Sequence, residues 1–306
     1  MDELPKAFAF TSDGTDFSTF HLPTFYSSER SEVVPRMACV ETGDLSDKFV
    51  MIQHNQKISV IIPTRDKAEL LSRCINSIRE KSTYPDYEIL IVDNGTSEPK
   101  ALRMLEGLEW AADTRVLKYP GPFNFSAMIN MAASEANGSV LCLLNNDTEV
   151  ISPDWMQTMA AGLMQEGVGV VGALLLFPNG SIQHAGDEIG GSACVRHLRD
   201  VAVADDADGS ALQIVRDVPA VTGACLMTRR DLFLKLGGLD EKAFTVAFND
   251  TDYCLRVRES ALRVVCAHQA RLFHHELATR GRIWKPVDLM RLRREKRAFR
   301  KRWLDK

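Results

Sequence analysis

Apolar residues follow two alternating patterns along the chain from residue 57 onward. Short apolar runs such as residues 58–62 and 87–92 are typical of strands buried inside a sheet. Residues 66–81 instead repeat apolar positions every three or four residues, which is typical of a helix that packs one face on that sheet. The same alternation predicts further helices at 99–107, 124–137 and 153–166 and further strands at 115–119, 139–144 and 168–177. We therefore expect an α/β fold with a Rossmann-like, mostly parallel central sheet flanked by helices.

The chain is less regular on either side of this core. Beyond residue 178 the pattern predicts a smaller mixed region, with strands at 220–228 and 263–267 and helices at 230–236 and 250–260. Residues 1–56 show no clear period, and residues 285–303 form a predicted helix that is rich in basic side chains. We expect three parts, which are an N-terminal extension (1–56), a main domain (57–282) and a C-terminal basic helix (283–306).

The composition is that of a globular protein, with 306 residues, 45% hydrophobic and 25% charged. The longest apolar run, residues 168–177, is about half the ~20 residues that span a bilayer, and the first four residues lack the basic start of a signal peptide. Seven cysteines without CxxC spacing indicate reduced core thiols, so we expect a cytoplasmic protein. A net charge of −4 argues against a nucleic-acid binder, although residues 291–302 hold eight basic side chains.

Polar residues follow three of the predicted strands. In an open α/β sheet, ligands bind beyond the carboxyl ends of the strands, which is where Pro63–Asp66, Asp93–Thr96 and Asn145–Asp147 lie. Each group also fits a local structural role, because Asp66 could cap a helix and Asp93 could begin a tight turn. No glycine occurs between Gly43 and Gly95, so the first strand is not followed by a dinucleotide-binding fingerprint, and the chain has no P-loop.

Six segments, taken in order, resemble family 2 glycosyltransferases with the GT-A fold: residues 60–66, 92–95, 123–126, 143–149, 249–252 and 274–275. The resemblance covers residues 57–282 and is greatest to rhamnosyl- and galactofuranosyl-transferase-like enzymes of bacterial surface polysaccharides such as O-antigen and capsule. It implies an inverting transfer of a hexose or deoxyhexose from a nucleotide-diphosphate sugar donor. The acceptor would be a hydroxyl of a glycan or lipid-linked glycan, and the cofactor would be Mg²⁺ or Mn²⁺.

The resemblance also assigns residues to the donor. Asp93 corresponds to the aspartate that binds the base or ribose, and Arg280 could neutralise the diphosphate, although a solvated basic loop explains Arg280 equally well. The remaining candidates for nucleotide-sugar binding are Pro63, Thr64, Arg65, Asp66, Asn124, Asn145 and Asn146. Asp147 and His274 correspond to metal ligands, and oxygen ligands suit both expected ions. Asn145 stands where the family often has an acid, which removes one charge from the site.

Asp250 corresponds to the general base that takes a proton from the acceptor hydroxyl. Asp252 is the second choice, although a helix would turn its side chain about 200° away from Asp250. Asp250 could instead be an ordinary carboxylate at a helix N-terminus, and His274 an ordinary structural histidine. Candidates for the acceptor side are His184, Asp187, Gly223 and His275, of which the first two could simply cap loops.

The sequence is also compatible with two other functions and with a membrane contact. A sugar nucleotidyltransferase normally has a glycine-rich basic loop where this chain has Pro63–Asp66. A non-catalytic glycan-binding relative is suggested by Asn145 and Asn249, which replace common acids. The helix at 285–303 either packs on the domain or binds peripherally to anionic lipid on the inner face of the cytoplasmic membrane. The oligomeric state is not predicted.

Overall fold

The computed structural model describes residues 56–191, 194–199, 215–275 and 286–305. Almost all of the predicted N-terminal extension lies outside these residues, as do Arg280 and the end of the predicted main domain. Within the described part, the first half alternates strands and helices as predicted: β1 Ile58–Thr64, α1 Ala68–Lys81, β2 Tyr87–Asp93, α2 Pro99–Leu108, β3 Thr114–Lys118, α3 Phe125–Glu135 and β4 Val140–Leu144.

The second half contains more strands than predicted. Its elements are β5 Thr148–Val150, α4 Trp155–Leu163, β6 Val168–Leu176, β7 Ile182–His184, β8 Asp187–Gly190, β9 Cys194–His197, β10 Arg216–Asp217, β11 Cys225–Arg229, α5 Arg230–Lys235, α6 Asn249–Glu259, β12 Arg263–His274 and α7 Pro286–Phe299. A π-helical turn, Arg300–Leu304, follows α7. No described helix has both the length and the apolar character needed to cross a bilayer.

One central sheet holds most of these strands in the order β10-β12-β6-β11-β4-β1-β2-β3. The pairs β1–β2, β1–β4, β2–β3 and β6–β12 are parallel, whereas β11 runs antiparallel to both β4 and β6. Strands β5 and β7 pair with β12 and β6 at the same sheet, and β8 with β9 forms a separate two-stranded ribbon. The prediction of a mostly parallel sheet with a smaller mixed region is therefore confirmed.

Helices cover both faces of the sheet and bury its apolar side chains. On one face, α1 and α4 supply buried residues such as Leu71 and Trp155. On the other face, α3 and α6 supply residues such as Ile129 and Tyr253. Two covered faces explain why the central strands are continuous apolar runs rather than alternating ones.

Several predicted boundaries differ from the structure, and three of the differences have an identifiable physical reason. Helix α1 begins at Ala68 because Asp66 and Lys67 have φ values of 55° and 56°, outside the right-handed helical region. Strand β11 begins at Cys225 because Gly223 and Ala224 form a turn, while Ala220 pairs only with Asp187 in an isolated bridge. Strand β12 continues to His274, since an irregularity between Ala267 and Arg271 lets the strand resume its pairing with β6 after a polar interruption.

Candidate functional site

Asp147 and His274 meet at the carboxyl end of the sheet. Asp147 lies just beyond β4, and His274 is the last residue of β12, where it pairs with Thr148 of β5. The Asp147 Oδ1 atom is 3.2 Å from His274 Nε2, and the two side chains are only 4% and 13% exposed. The sequence separates these residues by more than a hundred positions, and the β5–β12 pairing brings them together.

Gln183 fixes the orientation of the His274 ring. Its Oε1 atom lies 2.6 Å from His274 Nδ1, and its Nε2 donates to the His274 carbonyl at 3.2 Å. An amide oxygen only accepts hydrogen bonds, so the Nδ1 atom carries a proton. In the neutral ring, Nε2 therefore presents its lone pair towards Asp147, and a cation that both atoms bind would stabilise this pair. No local pattern in the sequence links Gln183 to His274, which lies 91 residues away.

The two asparagines before Asp147 make different contacts. Asn145 Nδ2 lies 3.4 Å from His274 Nε2, so its amide belongs to the candidate metal site. Asn146 is buried and donates to Thr64 Oγ1 at 3.0 Å, which ties the end of β4 to the end of β1. The structure thus brings Thr64, Asn145 and Asp147 to one edge of the sheet, as predicted.

Asp66 and Asp93 organise the loop that follows β2. Asp66 Oδ1 accepts backbone N–H bonds from Ser97 at 2.7 Å and Glu98 at 2.8 Å, and these bonds lower the pKa of the Asp66 carboxyl. Asp93 Oδ1 accepts the Thr96 N–H at 2.9 Å. Asp66 does not cap the helix that follows it, because its bonds go to the loop before α2. Both carboxylates have a structural role, and any contact with the nucleotide sugar would add to that role.

The remaining donor-side candidates also have defined positions. Asn124 caps α3 by accepting the Ala127 N–H at 3.1 Å, and its amide donates to the Glu241 carbonyl at 3.0 Å. Pro63 lies within β1, and the Arg65 side chain is 59% exposed beside Asp66. Arg65 is therefore open to a ligand, whereas Asn124 is occupied by the helix.

Asp250 lies in the first turn of α6, next to the turn that precedes β11. Its Oδ2 atom accepts the Gly223 N–H at 2.8 Å, and its Oδ1 atom accepts the Thr251 N–H at 2.8 Å. A Cβ atom on Gly223 would lie 3.4 Å from the Asp250 Cβ, an ordinary van der Waals distance. The next residue along, Ala224, accepts the Asn145 N–H at 3.0 Å. One short turn therefore connects Asn145, beside Asp147 and His274, with Asp250.

Asp252 has a structural role, which removes the second choice for the base. Its carboxylate is fully buried and accepts from Arg256 Nε at 2.9 Å, Arg302 Nη1 at 2.8 Å and Trp303 Nε1 at 3.0 Å. Because both oxygens are engaged, the carboxylate cannot meet an acceptor hydroxyl. Asp252 instead fastens the C-terminal segment to the helix that carries Asp250.

Replacing Asp252 by Ala should destabilise the protein by on the order of 3 kcal/mol, because two arginines lose a buried partner. Urea unfolding followed by circular dichroism measures this change. The control is Asp288→Ala, which removes the partner of Arg291 at the partly exposed start of α7 and should cost less than about 1 kcal/mol. A stable Asp252→Ala protein that has lost turnover would instead make Asp252 catalytic.

The acceptor-side candidates separate into two groups. His184 and Asp187 are both buried, with His184 Nδ1 3.5 Å from Asp187 Oδ1, and they share this cluster with His197. His275 lies elsewhere, since its Nε2 is 3.1 Å from Glu149 Oε2 and its backbone N–H donates to the Asp147 carbonyl. The structure therefore joins His184, Asp187 and Gly223 in one region and excludes His275 from it.

The family model for glycosyl transferase family 2 matches residues 59–237, which is more than half of the chain. The chain belongs to glycosyl transferase family 2. The match lies inside the predicted main domain, and the family membership expected from the sequence motifs is confirmed.

Sequence relatives of this family 2 chain include much longer proteins. The chain is 40% identical over 248 residues to the uncharacterized protein y4gI of Sinorhizobium fredii, an alignment that covers 80% of this chain and 27% of that protein. It is 37% identical over 235 residues to the O-antigen biosynthesis protein RfbC of Myxococcus xanthus, covering 75% of this chain and 18% of RfbC. The chain thus spans about a quarter or less of these relatives.

Solved structures confirm the GT-A fold. The structure of GalNAc-T7 with UDP, GalNAc and Mn²⁺ matches with a TM-score of 0.60 at 16% identity, covering 72% of this chain and 44% of GalNAc-T7. The mannosyltransferase PcManGT from Pyrobaculum calidifontis, in complex with GDP-Man and Mn²⁺, matches with a TM-score of 0.55 at 16% identity, covering 74% of this chain and 58% of that protein.

Proposed function

We propose that this chain is a metal-dependent, inverting glycosyltransferase that moves a hexose or deoxyhexose from a nucleotide-diphosphate sugar to a hydroxyl of a glycan or lipid-linked glycan. Surface polysaccharide synthesis, such as that of O-antigen or capsule, is the proposed setting, supported by the likeness to RfbC. The observation that carries the proposal is the pairing of Asp147 with His274 beside the turn that holds Asp250.

Asp147 and His274 fit a divalent cation. A carboxylate oxygen and an imidazole nitrogen face each other, and Gln183 leaves the nitrogen lone pair available. Carboxylate oxygen suits Mg²⁺ and Mn²⁺, and Mn²⁺ also accepts imidazole nitrogen more readily than Mg²⁺ does. The cation would offset the negative charge that develops on the leaving nucleoside diphosphate. Asp93 and the exposed Arg65 are the proposed contacts to the nucleotide.

Asp250 is the proposed general base. The Gly223 and Thr251 N–H groups hold its two oxygens in place, and the side chain is partly exposed. As the acceptor oxygen attacks the anomeric carbon from the face opposite the diphosphate, the acceptor proton passes to Asp250. The bond to the diphosphate breaks in the same step, so the configuration at the anomeric carbon inverts.

Nucleoside diphosphate release from a panel of nucleotide sugars tests this function. We expect release with one or a few donors, and only with Mn²⁺ or Mg²⁺ present. A sugar nucleotidyltransferase would instead consume a nucleoside triphosphate and a sugar phosphate, and a glycan-binding relative would turn over neither. Either of those results would replace the proposal.

Gln183→Leu should weaken Mn²⁺ binding in the presence of nucleoside diphosphate by about 10- to 100-fold, the usual effect of losing a residue that orients a metal-ligating histidine. Gln183→Glu keeps an oxygen for the Nδ1 proton and should stay closer to wild type. Electron paramagnetic resonance of free Mn²⁺ measures both affinities. Equal affinity in wild type and Gln183→Leu would show that Gln183 does not orient His274 for metal.

The C-terminal segment is proposed to contact anionic membrane while it packs on the domain. Phe299 is buried against Phe248, with ring centroids 5.0 Å apart, so one side of α7 is fixed. Other side chains of the same helix are exposed, namely the apolar Val287, Leu289 and Met290 and the basic Arg293, Arg294 and Arg297. Exposed apolar and basic groups on one helix are typical of segments that lie on anionic lipid.

The protein should co-sediment with anionic vesicles and not with neutral ones, and salt should weaken this binding because charges are screened over ~8 Å at physiological ionic strength. Replacing Arg293, Arg297 and Arg300 by Gln should abolish it. Lys235→Gln, which removes a basic side chain from α5 instead, is the control. If wild type ignores anionic vesicles at low salt, the segment only packs on the domain.

A further inference from the structure

A second group of titratable side chains lies on the acceptor side. The β8–β9 ribbon places Asp187 directly opposite His197, and His184 is the last residue of β7. Asp187 Oδ1 is 2.6 Å from His197 Nδ1 and 3.5 Å from His184 Nδ1. Two imidazole rings therefore share one carboxylate oxygen, and the Asp187 and His184 side chains are each only 2% exposed.

These three side chains have the composition of a metal site, but the hydrogen bonds favour a different arrangement. The Thr222 N–H donates to His184 Nε2 at 3.3 Å, so this nitrogen carries no proton and the neutral ring is protonated at Nδ1. Binding a metal through Nδ1 would move the proton to Nε2, where it would oppose the Thr222 N–H. The shortest contact in the cluster is the one from His197 Nδ1 to Asp187 Oδ1, and His184 Nδ1 lies 3.2 Å from His197 Nδ1 and 3.5 Å from the same carboxylate oxygen.

The surroundings favour the charged forms of both Asp187 and His197. Burial opposes the ionised form of Asp187, but the bonds from His184 and His197 outweigh it and lower the pKa of the carboxyl. Burial likewise opposes the charged form of His197, and Arg199 does so too, but the bond and charge of Asp187 and the charge of Asp250 raise the pKa of the imidazole. The Asp187 carboxylate, 2.6 Å from His197 Nδ1, and the charge of Asp250 thus favour the cationic form of His197.

His197 is near enough to the proposed base for the charge of Asp250 to act on its pKa. Consecutive backbone amides connect Asp250 with His184, the neighbour of His197, since the Thr222 N–H binds His184 and the Gly223 N–H binds Asp250. The His197 side chain is 38% exposed, far more than its two partners. Its Nδ1 edge is occupied by Asp187, and no residue of the described part of the chain forms a hydrogen bond with its Nε2.

We propose that His197 is an acceptor-contacting residue whose Nε2–H donates a hydrogen bond to a hydroxyl oxygen of the acceptor sugar, beside the hydroxyl that Asp250 deprotonates. Asp187 is then a positioning residue, because its bond to Nδ1 fixes the ring and its charge favours the imidazolium, in which Nε2 also carries a proton. This inference rests on the proposed function and names a residue that binds the acceptor sugar. An imidazolium suits this task because charge-assisted hydrogen bonds are stronger than neutral ones.

The test compares transfer to sugar with transfer to water. With the nucleotide sugar that the wild type uses, release of nucleoside diphosphate is measured alone and with p-nitrophenyl glycosides of rhamnose, galactose, glucose and N-acetylglucosamine as probe acceptors. His197→Gln should raise the KM for the glycoside by about 10-fold or more, the typical effect of losing a hydrogen bond to a charged group. Donor hydrolysis and the KM for the donor should change less than about twofold.

A control variant and a pH profile distinguish a hydrogen bond from His197 from a merely structural role. Glu188→Gln changes an exposed side chain on the same ribbon and should leave every constant unchanged, which controls for ribbon integrity. In the wild type, the glycoside KM should rise as pH increases through the raised pKa of His197, because the Nε2 proton is lost. The glycoside KM of His197→Gln should not show this rise.

The possible results are distinct. A wild type that releases no nucleoside diphosphate from any nucleotide sugar contradicts the proposed function, and the inference falls with it. A wild type that turns over while His197→Gln has the same glycoside KM, or while no glycoside increases release, overturns the inference alone.

Discussion

Asp250→Asn should lower turnover by at least ~10²-fold while the affinity for the donor stays nearly unchanged. The amide cannot accept the acceptor proton, and removal of a general base typically costs ~10²–10⁴-fold in rate. The change loses one of the two N–H bonds from Gly223 and Thr251, so a small loss of stability, on the order of 1 kcal/mol, accompanies it. Steady-state kinetics and calorimetric titration of the donor measure the two effects separately.

The matched control for this change is Asp231→Asn. Asp231 also lies in the first turn of a helix, α5, and also accepts the N–H of the next residue, but it is exposed. Its replacement should leave turnover within about twofold of wild type. If Asp250→Asn also retains turnover within a few-fold, the proton goes to another group and the assignment of the base is wrong.

Asp147→Asn should weaken the Mn²⁺-dependent binding of nucleoside diphosphate by at least ~10²-fold. Asp147 supplies the buried carboxylate of the candidate metal site. The other side chains there, Asn145 and His274, bring no negative charge. Loss of a ligand should exceed the ~10–100-fold effect of losing an outer partner such as Gln183. Calorimetric titration with UDP, GDP and dTDP, each with and without Mn²⁺, measures the change and identifies the preferred nucleotide.

Glu149→Gln is the control for the metal. Glu149 lies two residues beyond Asp147, and its carboxylate pairs with His275 and Lys81 rather than with His274. Metal-dependent binding should survive its replacement. If wild type binds nucleoside diphosphate equally well with Mn²⁺ and with a chelator, the metal has no place in the reaction.

The sequence predicted the half of the site that depends on strand ends. Buried strands such as β1 and β4 are strong apolar runs, and the polar residues that follow them lie at one edge of any parallel sheet. Thr64, the last residue of β1, and Asp147, just beyond β4, were predicted in this way. Asp250 was predicted from the family resemblance, and its bond with the Gly223 N–H places it beside the turn before β11.

The other half depends on contacts between distant segments. The irregularity in β12 carries the strand past polar residues to His274, and no periodic pattern indicates such a continuation. Asp252 was the second choice for the general base because the sequence does not show its partners. Arg302 and Trp303, which bind its carboxylate, lie 50 and 51 residues away. His197 carries no motif, and only its pairing opposite Asp187 in the β8–β9 ribbon reveals its position.

The anomeric configuration of the first product tests the central claim most directly. The account has Asp250 acting as a base on the acceptor, with attack opposite the diphosphate and no covalent sugar intermediate. Proton NMR of the product formed from a donor of known configuration should therefore show the opposite configuration at the anomeric carbon. A product that keeps the configuration of the donor would contradict the single displacement and the role of Asp250 in it.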